Sequence, residues 1–243
     1  MLCNNNRTTL KHETGNRYCT AIGDGLYCSE RSVKIKRRST KYSAKRIDMN
    51  KLSSDIAFTP SVKEVQQRLG SRRGYANMEF NTHVTPDLVG FLAGQNSFYM
   101  ATVNDDGQPY IQHRGGAPGF LKALDNKTLA FADFSGNKQY ISMGNLKDNN
   151  KAHIFVMDYA SRSRVKIWGT ARFEEDDKAL IAKLHDDHYR ARPERALVFT
   201  VDAWDSNCPQ HITPRFTEAQ VMEAINPLKQ RIAELEKQLA ERK

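Results

Sequence analysis

Phe98-Tyr-Met-Ala-Thr-Val-Asn-Asp-Asp-Gly-Gln-Pro-Tyr-Ile-Gln-His-Arg114 is the run on which the reading of this chain turns. Phe98 to Val103 is β-branched and aromatic, Asn104-Asp-Asp-Gly107 is hairpin-turn chemistry, and Gln108 to Arg114 leads a return strand. Outward from this hairpin, Thr128-Leu-Ala-Phe-Ala-Asp133 is the next strand, and Phe134-Ser-Gly-Asn-Lys138 is a loop. Gln139 to Leu146 then has helical spacing through Ile141, Met143 and Leu146. Ala152 to Met157 and Arg164 to Phe173 are two further strands joined by Asp158 to Ser163. In the second of these, alternation sets Val165, Ile167, Gly169 and Ala171 on one face and Arg164, Lys166, Trp168 and Arg172 on the other. Residues 178–190 read as a helix, Ala196 to Trp204 as a last strand, and Asp205 to Phe216 as loop. The fold class is therefore mainly β within α+β, with flanking helices. A helix start that carries Ser135, Gly136 and Lys138 suits a phosphate, because free backbone N–H groups, the helix dipole and a cation point one way.

Two helices precede the hairpin. Thr59 with Pro60 and Thr85 with Pro86 place a capping side chain and a first-turn proline together, and Gly70 and Gly94 mark the stops. Before them, residues 1–48 hold 11 Lys or Arg against 4 acids, leaving 26 against 24 from Met49 onward, so the charge of +9 belongs mostly to this extension. Its Asn, Thr, Ser, Lys and Arg content predicts disorder. A plain reading has translation begin at Met49; a nucleic-acid or membrane-surface tail ranks below it. Four segments follow: the extension 1–48, a helical segment 49–84, a domain 85–216 and a C-terminal helix 217–243. No run reaches transmembrane length, and Cys3, Cys19, Cys28 and Cys208 form no disulfide or metal pattern, which points to a reducing, cytoplasmic setting without nucleic acid or membrane partners.

Between about Thr85 and Glu174 the chain resembles the FMN-binding split barrels of the pyridoxamine 5'-phosphate oxidase superfamily. Carrying the resemblance are Ala101 to Tyr110, Leu121-Lys122, Ser135 to Lys138 with the following helix and Asn145, and Arg164-Val-Lys-Ile-Trp-Gly169. The resemblance implies a split β-barrel homodimer with FMN at the subunit interface, acting as a flavin-dependent oxidoreductase on a small molecule. It places Lys138 at the family's phosphate lysine, within the loop Ser135 to Gln139. Asn137 stands where an arginine is common, Arg164 where a glutamine is common, and Asp133 where the family has an uncharged pair; Arg164 is the candidate to restore the charge missing at Asn137. Gln112, His113, Arg114 and Gly115 lie where the family passes its backbone and an arginine past the flavin. Trp204, Gln210, His211 and Arg215 lie in the closing segment that reaches the other subunit's flavin. No catalytic residue is implied, since the flavin carries the electron chemistry. A non-catalytic flavin or haem carrier or redox sensor, or an F420-binding reductase, are the alternatives.

The remaining motifs say less. Cys208 and His211 at i, i+3 have the spacing of a metal pair or of a nucleophile with its base, but no second pair of ligands stands out, so a buried thiol and a hydrogen-bonded imidazole are expected. His185-Asp-Asp-His188 is assigned to a solvated helix end, and no metal site is expected. Lys122 is assigned to the surface. No Gly-x-Ser-x-Gly elbow, Walker loop or His-Glu-x-x-His helix occurs, which removes hydrolase and NTPase readings. After a capping box at Thr217 to Gln220, the residues Val221, Ile225, Leu228, Ile232, Leu235 and Leu239 form an a/d seam. Asn226-Pro227 predicts a break there, with Pro227 opening a new helix that packs on the body or on a partner subunit.

Overall fold

The computed structural model describes Tyr18–Ile22, Gly25–Ser29 and residues 51–241. The chain divides into a unit over Met1–Asp48 and a unit over Met49–Lys243. In the first, β1 (Tyr18–Ile22) and β2 (Gly25–Ser29) pair antiparallel from Tyr18↔Ser29 to Ile22↔Gly25. This corrects the expectation of disorder at those ten positions: Tyr18, Thr20, Ile22 and Tyr27 are β-forming residues, which a reading by composition passes over. The rest of that expectation lies outside the described residues.

The second unit opens with a 3-10 turn at Ser53–Ile56, followed by α1 (Pro60–Arg68), α2 (Arg72–Tyr75) and α3 (Pro86–Ala93). Both Thr-Pro caps form: Thr59 accepts from the Val62 N–H and Thr85 from the Leu88 N–H, at 3.4 and 3.3 Å. Leu88 and Leu92 of α3 are buried, whereas the α1 stripe of Val62, Val65 and Leu69 stays exposed. The segment docks on the outer face of the sheet through Phe80, whose ring stacks on Trp168 at 5.3 Å, with Lys166 Nζ 5.8 Å from the Phe80 ring and 5.1 Å from the indole.

Seven strands follow: β3 (Ser97–Val103), β4 (Pro109–Gly115), β5 (Lys122–Ala123), β6 (Thr128–Phe134), β7 (Lys151–Asp158), β8 (Ser163–Glu174) and β9 (Pro193–Asn207). They form one antiparallel sheet in the order β4-β3-β7-β8-β9-β6-β5. The sheet does not close by hydrogen bonds, but it curls until β3 meets β6: Phe98 lies edge-on to Phe131 at 5.2 Å, and Phe120 stacks on Phe98 at 5.3 Å. This is the expected split barrel. Leu129, Phe131, Met100, Ile154, Ile167 and Phe199 fill its interior. β6 is buried on both faces, because Ala130 and Ala132 pack outward against Leu180, Ile181 and Leu184 of α5 (Lys178–Leu184). That is why its sequence reads as an unbroken apolar run.

Several boundaries differ from the sequence reading. α5 ends at Leu184 rather than 190, because Asp186 accepts from the His188 N–H at 2.9 Å and its carbonyl accepts from Tyr189, closing a turn in place of another helical one. His185 is half-buried against Phe134 at a ring distance of 6.0 Å, not solvated as assigned. β9 runs on to Asn207, so the closing loop begins at Cys208, whose thiol is exposed rather than buried. Finally, α6 (Glu218–Ala240) is one helix through Pro227. The Thr217 capping box forms as expected, but the predicted break at Asn226 does not: the helix runs through Pro227, giving up one N–H bond and accommodating the ring beside the carbonyl four residues back, with a turn or more of helix on either side. The a/d seam of α6 is exposed, so it is not packed on the body.

Two features test this packing. Gly169 sits at a register shift between β8 and β9, and a Cβ there would run into the Thr200 carbonyl and come within 2.6 Å of the Phe199 ring. Gly169→Ala is expected to lower unfolding free energy by about 3 kcal/mol, the upper end for overpacking, since a backbone oxygen has no rotamer to escape into; urea unfolding measures it. His153 is half-buried 5.1 Å from Trp168, and burial followed by the Lys166 charge holds its pKa below the ordinary 6.5. The unfolded chain therefore takes up this proton first, so the contribution of neutral His153 is present above 6.5 and is lost as pH falls below it. Urea midpoints at about pH 7.5 and about pH 5.5 should differ less in His153→Phe than in the parent.

Candidate functional site

α4 (Ile141–Asp148) positions the site. It is pinned to the sheet by two side-chain hydrogen bonds: Asn145 Nδ2 donates to Thr102 Oγ1 at 3.0 Å, and Ser142 Oγ donates to Gln112 Oε1 at 3.0 Å. Its N-cap, Tyr140, makes no side-chain cap and sits in the left-handed region at φ 53°, and Lys138 two residues earlier does so at φ 60°. Two non-glycine residues in that region are a strained loop held by its surroundings. The uncapped first turn leaves backbone N–H groups facing outward beside Lys138.

Below this loop lies a cleft of about 50 Å³, lined by Gln112, Arg114, Asp133, Gly136, Asn137, Lys138, Tyr140 to Met143, Phe173, Glu194 and Arg195. Its floor is an ionic cluster. Arg114 Nη1 donates to Asp133 Oδ1 at 2.5 Å, Arg195 Nη1 lies 3.8 Å from Asp133 Oδ2, and Arg195 Nη2 is 2.6 Å from Glu194 Oε2. Asp133 and Arg195 are only 6% and 8% exposed. Burial pushes the Asp133 carboxyl above its ordinary 3.8, and the Arg114 and Arg195 charges hold that rise back. Arg114 Nε is buried without a hydrogen-bond partner, and Arg195 Nε, also without one, lies 3.7 Å from Glu175 Oε1. Arg114 and Arg195 are matched by Asp133, Glu194 and Glu175, so Lys138 and the open helix start are the groups left to suit a small dianion such as a phosphate group.

Of the residues singled out from sequence, Gln112, Arg114, Asp133, Asn137 and Lys138 come together here. The others lie elsewhere. β4 alternates, so His113 points away from the cleft and meets Tyr99 edge-on at 5.7 Å. Gly115 lies beside the imidazole of His113 and outside the cleft lining, and Gly116 abuts Phe120 so closely that a Cβ would sit 2.8 Å from the Phe120 Cβ; this glycine loop is packed, not free. Ser135 is exposed, its N–H bonded to the Arg192 carbonyl, and Gln139 pairs only with Asn137. Arg164 pairs in register with Met157 and Asn207 and does not line the cleft, so it does not restore the charge missing at Asn137. Trp204 is buried and donates Nε1 to the His83 carbonyl at 2.7 Å. Gln210 and His211 are exposed in the closing loop, while Arg215 lies over the Tyr159 ring at 4.6 Å and lines a separate cavity of about 520 Å³ with Tyr99 and Phe216. Lys122 donates to the Lys183 carbonyl at 3.2 Å, as a surface lysine does.

Sequence reading missed Arg195, Tyr140 and Ser142. Arg195 stands opposite Asp133 in the β6–β9 register and 5.4 Å from the Tyr140 ring. The signal was Asp133 itself: a carboxylate ending an apolar strand needs a cation from somewhere. Among the described residues no group of three or more His, Cys, Asp or Glu side chains could hold a metal ion, and no helix is long and apolar enough to cross a membrane.

The family model for pyridoxamine 5'-phosphate oxidase matches residues 84–208, the barrel and its cleft. The chain belongs to this family. Among solved structures it is similar to HupZ of Group A Streptococcus (19% identity, 54% of this chain and 98% of that one, TM-score 0.42). It is also similar to a pyridoxamine 5'-phosphate oxidase-like protein of Lactobacillus delbrueckii (22%, 51% and 99%, 0.38). An FMN-binding protein of Syntrophomonas wolfei is a third (13%, 58% and 97%, 0.39). At such identities and scores the likeness assigns this chain no ligand. The search of curated proteins finds no match.

The ionic floor makes a direct prediction. Arg114→Met leaves Asp133 buried with one distant cation and should cost about 3 kcal/mol at neutral pH, the penalty of a broken buried pair. Because the Asp133 pKa is already raised, the loss should shrink on acidification, as the carboxyl takes up its proton and no longer needs a partner. Adding Asp133→Asn should recover most of the stability at neutral pH, which a double-mutant cycle in urea measures.

Proposed function

We propose that this protein binds FMN as a homodimer and acts as a flavin-dependent oxidoreductase on a small molecule. The observation that carries the reading is the phosphate-sized cleft at the α4 start, lined by Lys138, Arg114 and Arg195. Membership of the pyridoxamine 5'-phosphate oxidase family supports flavin as the phosphate's owner. Lys138 and the first-turn N–H groups of α4 would hold the phosphate, and Gln112, oriented by Ser142, would offer its amide to the ring system. Asp133 keeps the two arginines in place. Bound FMN supplies the electron transfer; the chain binds, orients and shields it.

A cleft of about 50 Å³ holds a phosphate and not a whole cofactor; sites for molecules of that size run to about 300–1,000 Å³. The ring system therefore needs a second wall, and a second copy of the chain is the one we propose. The exposed, free thiol of Cys208 suits the reducing cytoplasm we assign to it.

Purified protein should show flavin absorbance near one FMN per chain. Lys138→Ala should weaken FMN by about 1.5 kcal/mol, the low end for a hydrogen bond to a charged group because this lysine is exposed, while Lys122→Ala changes nothing. Colourless protein that ignores FMN but takes up haem or F420 would overturn the assignment. For turnover, anaerobic flavin reduction by NADH, NADPH or dithionite is followed by a screen of oxidants including pyridoxamine phosphate. Flavin that reacts no faster than free FMN with any of these would make the protein a carrier.

A further inference from the structure

α6 is a continuous helix of 23 residues, about 34 Å long at 1.5 Å per residue, with its apolar side chains on a single stripe. Val221, Ile225, Leu228, Ile232, Leu235 and Leu239 are all exposed, Leu228 and Leu239 at 64%, and no residue of the helix is buried. The steps alternate four and three without interruption, which makes Ile225, Ile232 and Leu239 the a positions and Val221, Leu228 and Leu235 the d positions. In this frame Asn226 is b and Pro227 is c, so the one residue without an N–H faces away from the seam.

The choice of residues narrows the occupant. Isoleucine at a with leucine at d favours two parallel strands. The flanking charges agree: Arg231 is at g and Glu236 at the following e, so a parallel, in-register pair sets each Arg231 against Glu236 of the other copy, twice over by symmetry. Full-length antiparallel overlap, which also layers a on d, would instead bring Arg231 against Arg231 and Lys229 against Lys229. Within one chain Arg231 Nη1 lies 3.0 Å from Glu234 Oε2, both side chains exposed, a contact of small value and readily exchanged.

We propose that α6 pairs with α6 of a second copy of this chain as a parallel two-stranded coiled coil, with Arg231–Glu236 pairs across the seam. The seam adds a contact to the homodimer proposed above but does not rest on flavin, because nothing in α6 lines the cleft at α4.

The test is cross-linking of the full chain with Cys3, Cys19, Cys28 and Cys208 replaced by Ser. Leu239→Cys in that background should convert most of the protein to a disulfide dimer under mild oxidation, and Val221→Cys should do the same. Arg231→Glu should slow the cross-link about two- to tenfold, and adding Glu236→Arg should restore it. Leu239→Cys that stays monomeric would overturn the proposal. So would an equimolar mixture in which Val221→Cys links to Leu239→Cys in preference to itself, the antiparallel result. Should the serine background fail to fold, a photo-cross-linking residue at 239 in the natural chain gives the same reading: products joining 239 to 239 support the coil, and products joining 239 to the barrel or to the start of α6 overturn it. FMN content measured on the same samples separates the two proposals, since a failed seam with flavin retained strikes only the coil.

Discussion

The Arg114–Asp133 ion pair bridges a gap that no backbone hydrogen bond spans. β4 ends the sheet on one side, and β6 lies one strand from the other end, so the barrel is held shut there by side chains alone. An aromatic cluster of Phe98, Phe120 and Phe131 lies on the same seam, with the Arg114 guanidinium 6.0 Å from the Phe131 ring. A buried pair of this kind adds little net stability over a well-packed apolar pair. What it contributes is definition: two strands far apart in the sheet are fixed to each other at one point, beside the cleft that both residues line.

That cleft shows how closely fold and site depend on each other here. α4 is tied to β3 through Asn145 and to β4 through Gln112, so the strained Lys138–Tyr140 loop is anchored to the edge that carries Arg114. The cost of two left-handed residues is of order 1–3 kcal/mol each and must come from those anchors. Cation, helix start and arginines are consequently set before any ligand arrives, which is the condition for binding an anion without reorganisation.

What was legible in the sequence was whatever is decided within a few residues. Thr59-Pro60 and Thr85-Pro86 cap their own helices, and Asn104 to Gly107 closes its own hairpin, with the Asn104 side chain accepting from the Gln108 N–H. Lys138, Gln112, Arg114 and Asp133 were found by their place in a family pattern, and they meet. His113 went wrong for a reason visible beforehand: one position along a strand is the opposite face. Arg195 could not be found locally, because its partner Asp133 reaches it only through the register of β6 on β9. At Asn226-Pro227 a strong local signal lost to the helix on either side of it. The β1–β2 pairing inside residues 1–48 was hidden by composition, which averages over short β-forming runs.

The double burial of β6 bears on how the chain is made. Its one earlier-made neighbour, β5, pairs only with Leu129 and Ala130; its long partner is β9, so Thr128 emerges from the ribosome long before Thr200, with α4, β7, β8 and α5 synthesised between them. At about 5–20 residues per second the wait lasts several seconds, during which Leu129-Ala-Phe-Ala132 lacks its β9 neighbour and the cover of α5. Such a segment invites pairing with other nascent chains unless a charge stands beside it. Asp133 is that charge, adjoining the run that it will later help enclose. The carboxylate that ends as the buried centre of an ion cluster thus begins as the guard of an unpaired strand, and its removal would be felt first in yield of folded protein.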